Sequence, residues 1–502
     1  MLALAFLIWF QARILPWNYG ALNGLKIAWS HKTFYGWIDT PVWALILALA
    51  AVLRNHGRRI IRVAGSWLFL SQLVFFLLFP PRAGSNADFY WVNDSRRADF
   101  SRQRNVIILV LDSFRGDIFS ALLTEHPDLR TRLGGFTFFP DALGGFPYTA
   151  PSVPVILTGS FYDNRQPFSR YLETSYRFHS LPERLQKNGF RVEMYPLDSS
   201  GVYLDPAVCS NILSRRLNPL RLAFLYDLAL FCSLPHPLKK MAYASQRRLI
   251  SRPFSGRASA SVKRNKRAKP RPAAGATIQD VPGAEGRFVW EVENRSTFDA
   301  TQPVFKYLHF QGMHPMLRLD SECHYRKMAY SECSYKAQAY CLLRLADRFL
   351  AFLEKRNLLA CSLVYIIGDH GSRLFPMTGQ DLYADEDLRG EDLLACAQPL
   401  VLAKPLGVGR QRPLLVSKAP ISLADIADSV LNELRLPTFG SQETIFAKDE
   451  ATARSRRFFF YCNFDNLAND YLADVIEYRV CGPVWDKHSW SAVGTDLPPG
   501  NR

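Results

Sequence analysis

Val106-Ile107-Ile108-Leu109-Val110-Leu111, followed at once by Asp112 and Ser113, is an apolar run with no alternation. Such a run fits a strand buried on both faces, as in a parallel sheet covered by helices on each side. The pattern recurs along the chain. Phe190 to Tyr195 is a strand candidate after a helical stretch over Leu181 to Asn188, Val304 to Phe310 is another, and Ser362 to Ile367 follows a helix expected from Ala337 to Lys355. Strands alternating with helices in this way predict an α/β domain with a mainly parallel sheet sandwiched by helices. In open sheets of this kind ligands bind beyond the carboxyl ends of the strands, so chemistry is expected there.

Three of those ends carry suggestive side chains. The first strand ends in Asp112, the strand at Phe310 leads into Gln311-Gly312-Met313-His314, and the strand at Ile367 leads into Gly368-Asp369-His370-Gly371. Two carboxylates and an imidazole suit a hard or borderline divalent cation such as zinc, manganese or magnesium. Arg115 and Arg373, close behind two of these ends, are candidates for holding a phosphate. A fourth stretch, Gly145 to Gly159 (GFPYTAPSVPVILTG), places Thr149 in a Gly/Pro-punctuated loop that feeds directly into an apolar helix. Thr149 is there either a helix cap or a nucleophile at a helix N-terminus, where unpaired N–H groups and the dipole favour an anion.

The first eighty residues read as a membrane portion. Phe34 to Leu53 and Ile60 to Pro80 each have the length of a bilayer crossing, about 20 residues. Met1 to Phe10 is a shorter apolar piece, which leaves room for an N-terminally incomplete set of two to three spans. The loop between the long segments carries Arg54, Arg58 and Arg59, with Arg62 just beyond, and the positive-inside rule puts it in the cytoplasm. Everything after Pro81 is then extracytoplasmic. Residues 81–104 read as a polar linker, 105–450 as the catalytic domain and 451–502 as an aromatic-rich extension that adds edge strands or a lid, its aromatics serving as core.

The formal charge of +16 is concentrated: twelve of the Lys and Arg residues lie between Lys239 and Arg271, with no Asp or Glu among them. The surrounding segment, 251–285, is poor in large apolar residues and reads as a flexible basic insertion, either solvated or lying on anionic lipid headgroups. It lacks the interleaved aromatics of a nucleic-acid binder, and no nucleic-acid partner is expected. Nine cysteines contain no CxxC pair, so a thiolate zinc site is not expected. Cys323 with Cys333, and Cys462 with Cys481, are candidate disulfides, whereas Cys341, Cys361 and Cys396 sit in apolar surroundings as buried thiols. No P-loop or dinucleotide fingerprint is present.

NVIILVLDSFRGD, the window from Thr149 to Gly159 and YIIGDHGSR stand in the order and spacing of the sulfatase-like branch of the alkaline phosphatase superfamily, which this chain resembles from about Asn105 to Leu436. TAPSVP is similar to the nucleophile segment of bacterial phosphoethanolamine transferases, and the whole set to the phosphoethanolamine and phosphoglycerol transferases, lipoteichoic acid synthase among them. Three departures from sulfatases matter. Thr149 replaces the Cys or Ser that sulfatases oxidise to formylglycine, and Val153 replaces their arginine; Ser113 also replaces their usual second Asp.

The resemblance implies an alkaline phosphatase-like fold and one divalent ion held by Asp112, Thr149, Asp369 and His370. It further implies Thr149 as nucleophile and His314 as the residue that contacts substrate phosphate or acts as acid/base. His309, inside its strand, is the less favoured alternative to His314. The implied activity moves a phospholipid headgroup, through a phosphothreonine, to an envelope glycan or lipid, in a multi-pass protein of the inner (plasma) membrane whose catalytic domain is periplasmic. A sulfatase-like phosphodiesterase or sulfuric ester hydrolase is the runner-up, and a lipid-binding regulatory pseudoenzyme the third reading.

Overall fold

The computed structural model describes residues 2–15, 17, 19, 29–52, 67, 90–197, 201–214, 229–242, 283–326, 328–372, 393–461, 470–472 and 475–493. The chain divides into two compact units, residues 1–89 with 214–270, and 90–213 with 271–502.

The larger unit is built on a seven-stranded sheet. Its strands are β1 (Asn105–Leu111), β2 (Thr137–Phe138), β3 (Arg191–Tyr195), β4 (Val304–Phe310), β5 (Ser362–Ile367), β6 (Val401–Lys404) and β7 (Leu415–Val416). They lie in the order β7-β2-β6-β5-β1-β4-β3. Four adjacent strands, β5, β1, β4 and the edge strand β3, run parallel, with Ile367 beside Val110 and Val110 beside His309; β6 is antiparallel to β5. Every residue of β1 is buried, as the unbroken apolar run requires.

Side-chain alternation divides the core between the two faces of the sheet. Ile107, Leu109 and Leu111 pack with Phe119 of α3 (Gly116–Glu125), Phe288 of α6 (Ala284–Arg295) and Leu342 and Phe349 of α7 (Glu332–Lys355). Val106, Ile108 and Val110 pack with Val153 and Ile156 of α4 (Thr149–Thr158) and Val430 of α8 (Ile426–Glu433). Each such side chain contributes about 1.5–3 kcal/mol by leaving water.

Several expectations change. Helix α7 starts at Glu332, five residues before Ala337, because Ser331 caps it by accepting from the Ser334 N–H. The larger unit starts at Tyr90, within the expected linker: Tyr90–Val92 pairs with Ile212–Ser214, and Asp99–Ser101 with Thr297–Ala300. Glu285, expected to close the flexible insertion, is already in the first turn of α6; residues 251–282 lie outside the described residues. The C-terminal aromatic stretch does not extend the central sheet. It forms its own antiparallel sheet of β8 (Ser455–Phe460), β9 (Ile476–Cys481) and β10 (Trp490–Val493), and Phe459 and Tyr461 pack with Phe146 in the core.

The cysteine pairing also differs. Cys323 bonds to Cys341, with Cα atoms 5.2 Å apart, while Cys333 and Cys481 are exposed free thiols. Cys341 lies on the buried face of α7 and meets the incoming loop, whereas Cys333 in the first turn faces solvent. Cys396 is a buried thiol as expected, Cys361 is half-buried, and Cys462 lies outside the described residues.

The smaller unit contains α1 (Leu2–Arg13), α2 (Thr33–Val52) and α5 (His236–Ala242). Among the described residues no helix is long and apolar enough to cross a membrane. Helix α2 covers the first expected span; Ile60 to Pro80 falls outside the described residues apart from Trp67. Large apolar side chains of α2 are exposed, including Phe34, Trp37, Leu45, Leu49 and Val52. Its one acid, Asp39, is buried: it accepts from the indole N–H of Trp17 (2.6 Å) and from the backbone N–H of His236 at the start of α5 (2.7 Å).

Candidate active site

Asp112 is the first residue beyond β1, and the chain turns sharply after it because Ser113 adopts φ 61°. The Ser113 hydroxyl donates to Asp112 Oδ1 (2.7 Å), and the Ser113 N–H donates to Asp369 Oδ1 (3.0 Å). Asp369 follows β5 and takes a second backbone bond from the His370 N–H (3.0 Å). One carboxylate oxygen of Asp369 is thereby fixed, while Oδ2 is buried and accepts no hydrogen bond. Gly371 then allows the chain to pass against Ala395, whose carbonyl oxygen would lie 1.9 Å from any added Cβ. The His370 Nδ1–H donates to the Gly371 carbonyl (2.5 Å), which sets the tautomer and leaves the Nε2 lone pair facing inward.

Thr149 opens α4. Tyr148 before it is extended and makes no side-chain cap, and Gly159 closes the helix in the left-handed conformation with φ 68°. Thr149 is therefore a first-turn residue, not a cap. Its hydroxyl lies 3.3 Å from His370 Nε2. The first N–H groups of the helix have no partners within it, and Pro151 contributes none. The apolar run Val153 to Leu157 is wholly buried, which anchors the hydroxyl rigidly at the strand ends.

The third cluster member is His309. Asp112, His309 and Asp369 each offer a buried ligand atom, all within 4.8 Å of one another. His309 Nε2 is 3.8 Å from Asp369 Oδ2, and its Nδ1 is 3.3 Å from the Tyr307 hydroxyl. Its position inside β4 counted against it in the sequence, but the sheet's two-residue period reverses the inference. Phe305, Tyr307 and His309 share the face that carries α4, and His309 sits near the carboxyl end of the strand, next to Val110. Parity and distance to the strand end were the available signals.

His370 Nε2 lies 3.6 Å from both Asp112 Oδ1 and Asp369 Oδ2, so the four expected metal residues Asp112, Thr149, Asp369 and His370 are brought together. His314 is exposed beyond the turn after β4, its Nδ1 directed to the Pro315 carbonyl (2.9 Å). Arg115 is not available as expected: it is buried, pairs with both carboxylate oxygens of Asp117 and donates to the Ser372 carbonyl (3.1 Å). Arg373 lies outside the described residues.

Burial, followed by the charge of Asp369, pushes Asp112 up to about 7, against the opposing pull of His370, the Ser113 hydroxyl and His314. Burial also opposes ionisation of Asp369, yet the imidazoles of His370 and His309 and the Ser113 N–H hold its carboxyl below the usual range. Two buried carboxylates thus divide, one ionised and one holding a proton near neutrality. A cation between them removes the repulsion and satisfies Asp369 Oδ2. Ligand atoms bound tetrahedrally at about 2.0–2.2 Å lie roughly 3.3–3.6 Å apart, so atoms that here lie within 4.8 Å of one another would draw together by side-chain movement to hold an ion. The donor set of carboxylate oxygen, imidazole nitrogen and hydroxyl fits a divalent ion.

A helix-borne hydroxyl facing two carboxylates and two imidazoles at the carboxyl ends of parallel strands defines an α/β enzyme with an alkaline phosphatase-like fold and a divalent-metal site. The Sulfatase family model matches residues 104–434, and the chain belongs to the sulfatase family. No curated protein sequence matches it. Solved structures are similar to it at low identity. A phosphonate monoester hydrolase from Silicibacter pomeroyi is 13% identical, with 75% of this chain and 85% of that chain covered and a TM-score of 0.43. A phosphonate monoester hydrolase of Agrobacterium radiobacter is 13% identical, over 78% and 88% of the two chains, with a TM-score of 0.40. The C-terminal periplasmic domain of EcEptC from Escherichia coli, in complex with Zn, is 12% identical over 80% and 94%, with a TM-score of 0.38.

Proposed function

We propose that this sulfatase-family chain is a membrane-anchored transferase that moves a phospholipid headgroup, of phosphoethanolamine or phosphoglycerol type, to an envelope glycan or lipid. The observation that carries this reading is Thr149: a threonine cannot become formylglycine, and here its hydroxyl stands 3.3 Å from His370 Nε2 at a helix N-terminus. Asp112, Asp369, His370 and His309 would hold the divalent ion, together with the Thr149 hydroxyl. When bound, that ion supplies Lewis acidity, lowering the hydroxyl pKa and neutralising phosphoryl oxygens.

Thr149 Oγ1 attacks the phosphorus in line. The bond from phosphorus to the glycerol oxygen of the lipid breaks, and diacylglycerol leaves with a proton. The α4 N-terminus stabilises charge on the phosphoryl oxygens. His314, exposed above the site, contacts the phosphate or moves the proton. An acceptor hydroxyl then takes the group from phosphothreonine and frees Thr149. Membrane attachment with the catalytic unit outside the cytoplasm is supported by the exposed apolar side chains of α2, the apolar stretch at Ile60 to Pro80 and the arginines between them.

The test is turnover of a headgroup-labelled phospholipid with intact-mass measurement, comparing the wild type with Thr149→Ala. Headgroup release and an adduct on Thr149, both lost in the variant, are expected. Absence of both from the metal-loaded wild type defeats the transferase reading, and release of free phosphoalcohol without an acceptor favours hydrolysis.

A further inference from the structure

The turn after β4 is wrapped around the backbone of Asp112. The Asp112 N–H donates to the Phe310 carbonyl (3.2 Å), and the Met313 N–H donates to the Asp112 carbonyl (2.7 Å). Between them Gly312 adopts φ 53°, and a Cβ there would lie 2.5 Å from Asp112 N and 2.7 Å from Asp112 O. Only glycine fits this approach, so the position of Gly312 and that of Asp112 are one variable. The same turn delivers His314, whose N–H returns to the Gln311 carbonyl (3.0 Å).

Both peptide groups of Gly312 are held from outside the turn. Its N–H donates to Glu285 Oε1 on α6 (3.0 Å), and its carbonyl accepts from Gln338 Nε2 on α7 (2.6 Å). Gln338 is buried, and its Oε1 accepts the N–H groups of Arg318 (2.7 Å) and Leu319 (3.1 Å), the first residues of the chain beyond His314 to be tied down by that helix. The amide orientation is fixed by this pattern: oxygen toward two donors, nitrogen toward one carbonyl. Two helices on one face of the sheet thus grip the single residue whose place fixes a carboxylate on the other side of the turn.

We propose that Glu285 and Gln338 form a positioning clamp on Gly312 that sets both the Asp112 carboxylate for its cation and His314 for the substrate. Neither residue touches the reacting atoms; both act through Gly312. The His314 half rests on the phosphotransfer reading, whereas the Asp112 half does not depend on it. Gln338→Glu keeps the acceptor for Arg318 and Leu319 but turns a carboxylate oxygen toward the Gly312 carbonyl, so it pushes on the clamp specifically. Glu285→Ala removes the acceptor for the Gly312 N–H, and Glu285→Gln retains one.

The experiment measures zinc affinity of the purified full chain by competition with a chromophoric chelator. Beside it run KM and kcat on a fluorescent phosphatidylethanolamine and the thermal midpoint of the cation-free protein. Outer residues that orient metal ligands typically change affinity about 10–100-fold. Gln338→Glu and Glu285→Ala are expected to weaken zinc by that factor and to raise KM, while Glu285→Gln stays within about threefold of the wild type. Folded Gln338→Glu and Glu285→Ala proteins that bind zinc within about threefold of the wild type overturn the proposal, even if their thermal midpoints fall, since that is what a purely structural role gives. If Gln338→Glu does not fold, the Glu285→Ala and Glu285→Gln pair decides. A wild type that binds zinc without turning over lipid defeats the transferase reading and leaves the clamp testable by zinc alone.

Discussion

An ionised Asp112 facing Asp369 destabilises the folded chain until a cation lies between them. Because burial raises its carboxyl to about 7, its contribution to stability is fully present below the unfolded value, about 3.9, and is lost as pH rises through about 7. The cation-free protein is therefore expected to lose thermal stability between about pH 4 and 7. Asp112→Asn, neutral and of equal size, should raise its midpoint by a few degrees at pH 8 while abolishing zinc binding, which a thermal scan with and without zinc reads directly. A midpoint unchanged or lowered by Asp112→Asn at pH 8 contradicts the account. Zinc affinity should also fall below about pH 7, because the ion must displace the Asp112 proton. His309 gives a second residue-level expectation: His309→Ala should weaken zinc at least 10-fold if the imbalance of two carboxylates is met by that imidazole, and equal affinity by chelator competition would remove it from the ligand set. Asp112, Thr149, Asp369 and His370 were legible in the sequence because each follows an apolar run or opens one. His309 was not, since a histidine inside a strand announces its face only once the register with Val110 is known.

At the level of elements, β1, β4 and β5 were readable because complete burial makes each run mostly apolar with no regular polar alternation, even though β4 carries the buried Lys306 and His309. The beginning of α7 was hidden, since Ser331, Glu332, Cys333 and Ser334 look like loop until Ser331 is seen to cap. The cysteines depend on the same boundary: a loop at Cys333 would offer a partner for Cys323, whereas Cys333 in a helical turn faces solvent and the buried Cys341 takes that place. Peptide mapping without reduction should recover Cys323 joined to Cys341, and a Cys323–Cys333 peptide would contradict the fold of this loop. The bridge spans a sequence separation of 18, and loops near that length gain about 3 kcal/mol from a disulfide. Cys341→Ser should therefore lower the thermal midpoint by several degrees, and Cys333→Ser should leave it unchanged. The disulfide and Gln338 secure the same loop from one helix, so Cys341→Ser is also expected to raise KM, not only to destabilise.

For the whole molecule, the chain enters the larger unit at Tyr90, leaves it after Leu213 and re-enters at Arg271, so that three passages join two units. Residues 251–270 of the middle excursion were legible as basic and low in apolar residues, but the partnership of the excursion with the N-terminal helices was not. That depends on Asp39, an acid inside an apolar helix, which accepts from Trp17 and from the start of α5 in place of solvent. An acid so placed is compatible with the proposed membrane attachment through the exposed apolar side chains of α2, since its carboxylate is hydrogen-bonded within the unit. On the proposed membrane attachment the positive-inside rule predicts an extracytoplasmic larger unit, and exposed Cys333 on that unit reports it. In intact spheroplasts a membrane-impermeant maleimide should label the protein, and Cys333→Ser should remove part of that labelling, the other exposed thiols, Cys232 and Cys481, contributing to the remainder. Labelling that occurs only after lysis would place the catalytic unit in the cytoplasm, away from any envelope acceptor. The proposed transfer would then lose its substrate whatever the chemistry at Thr149.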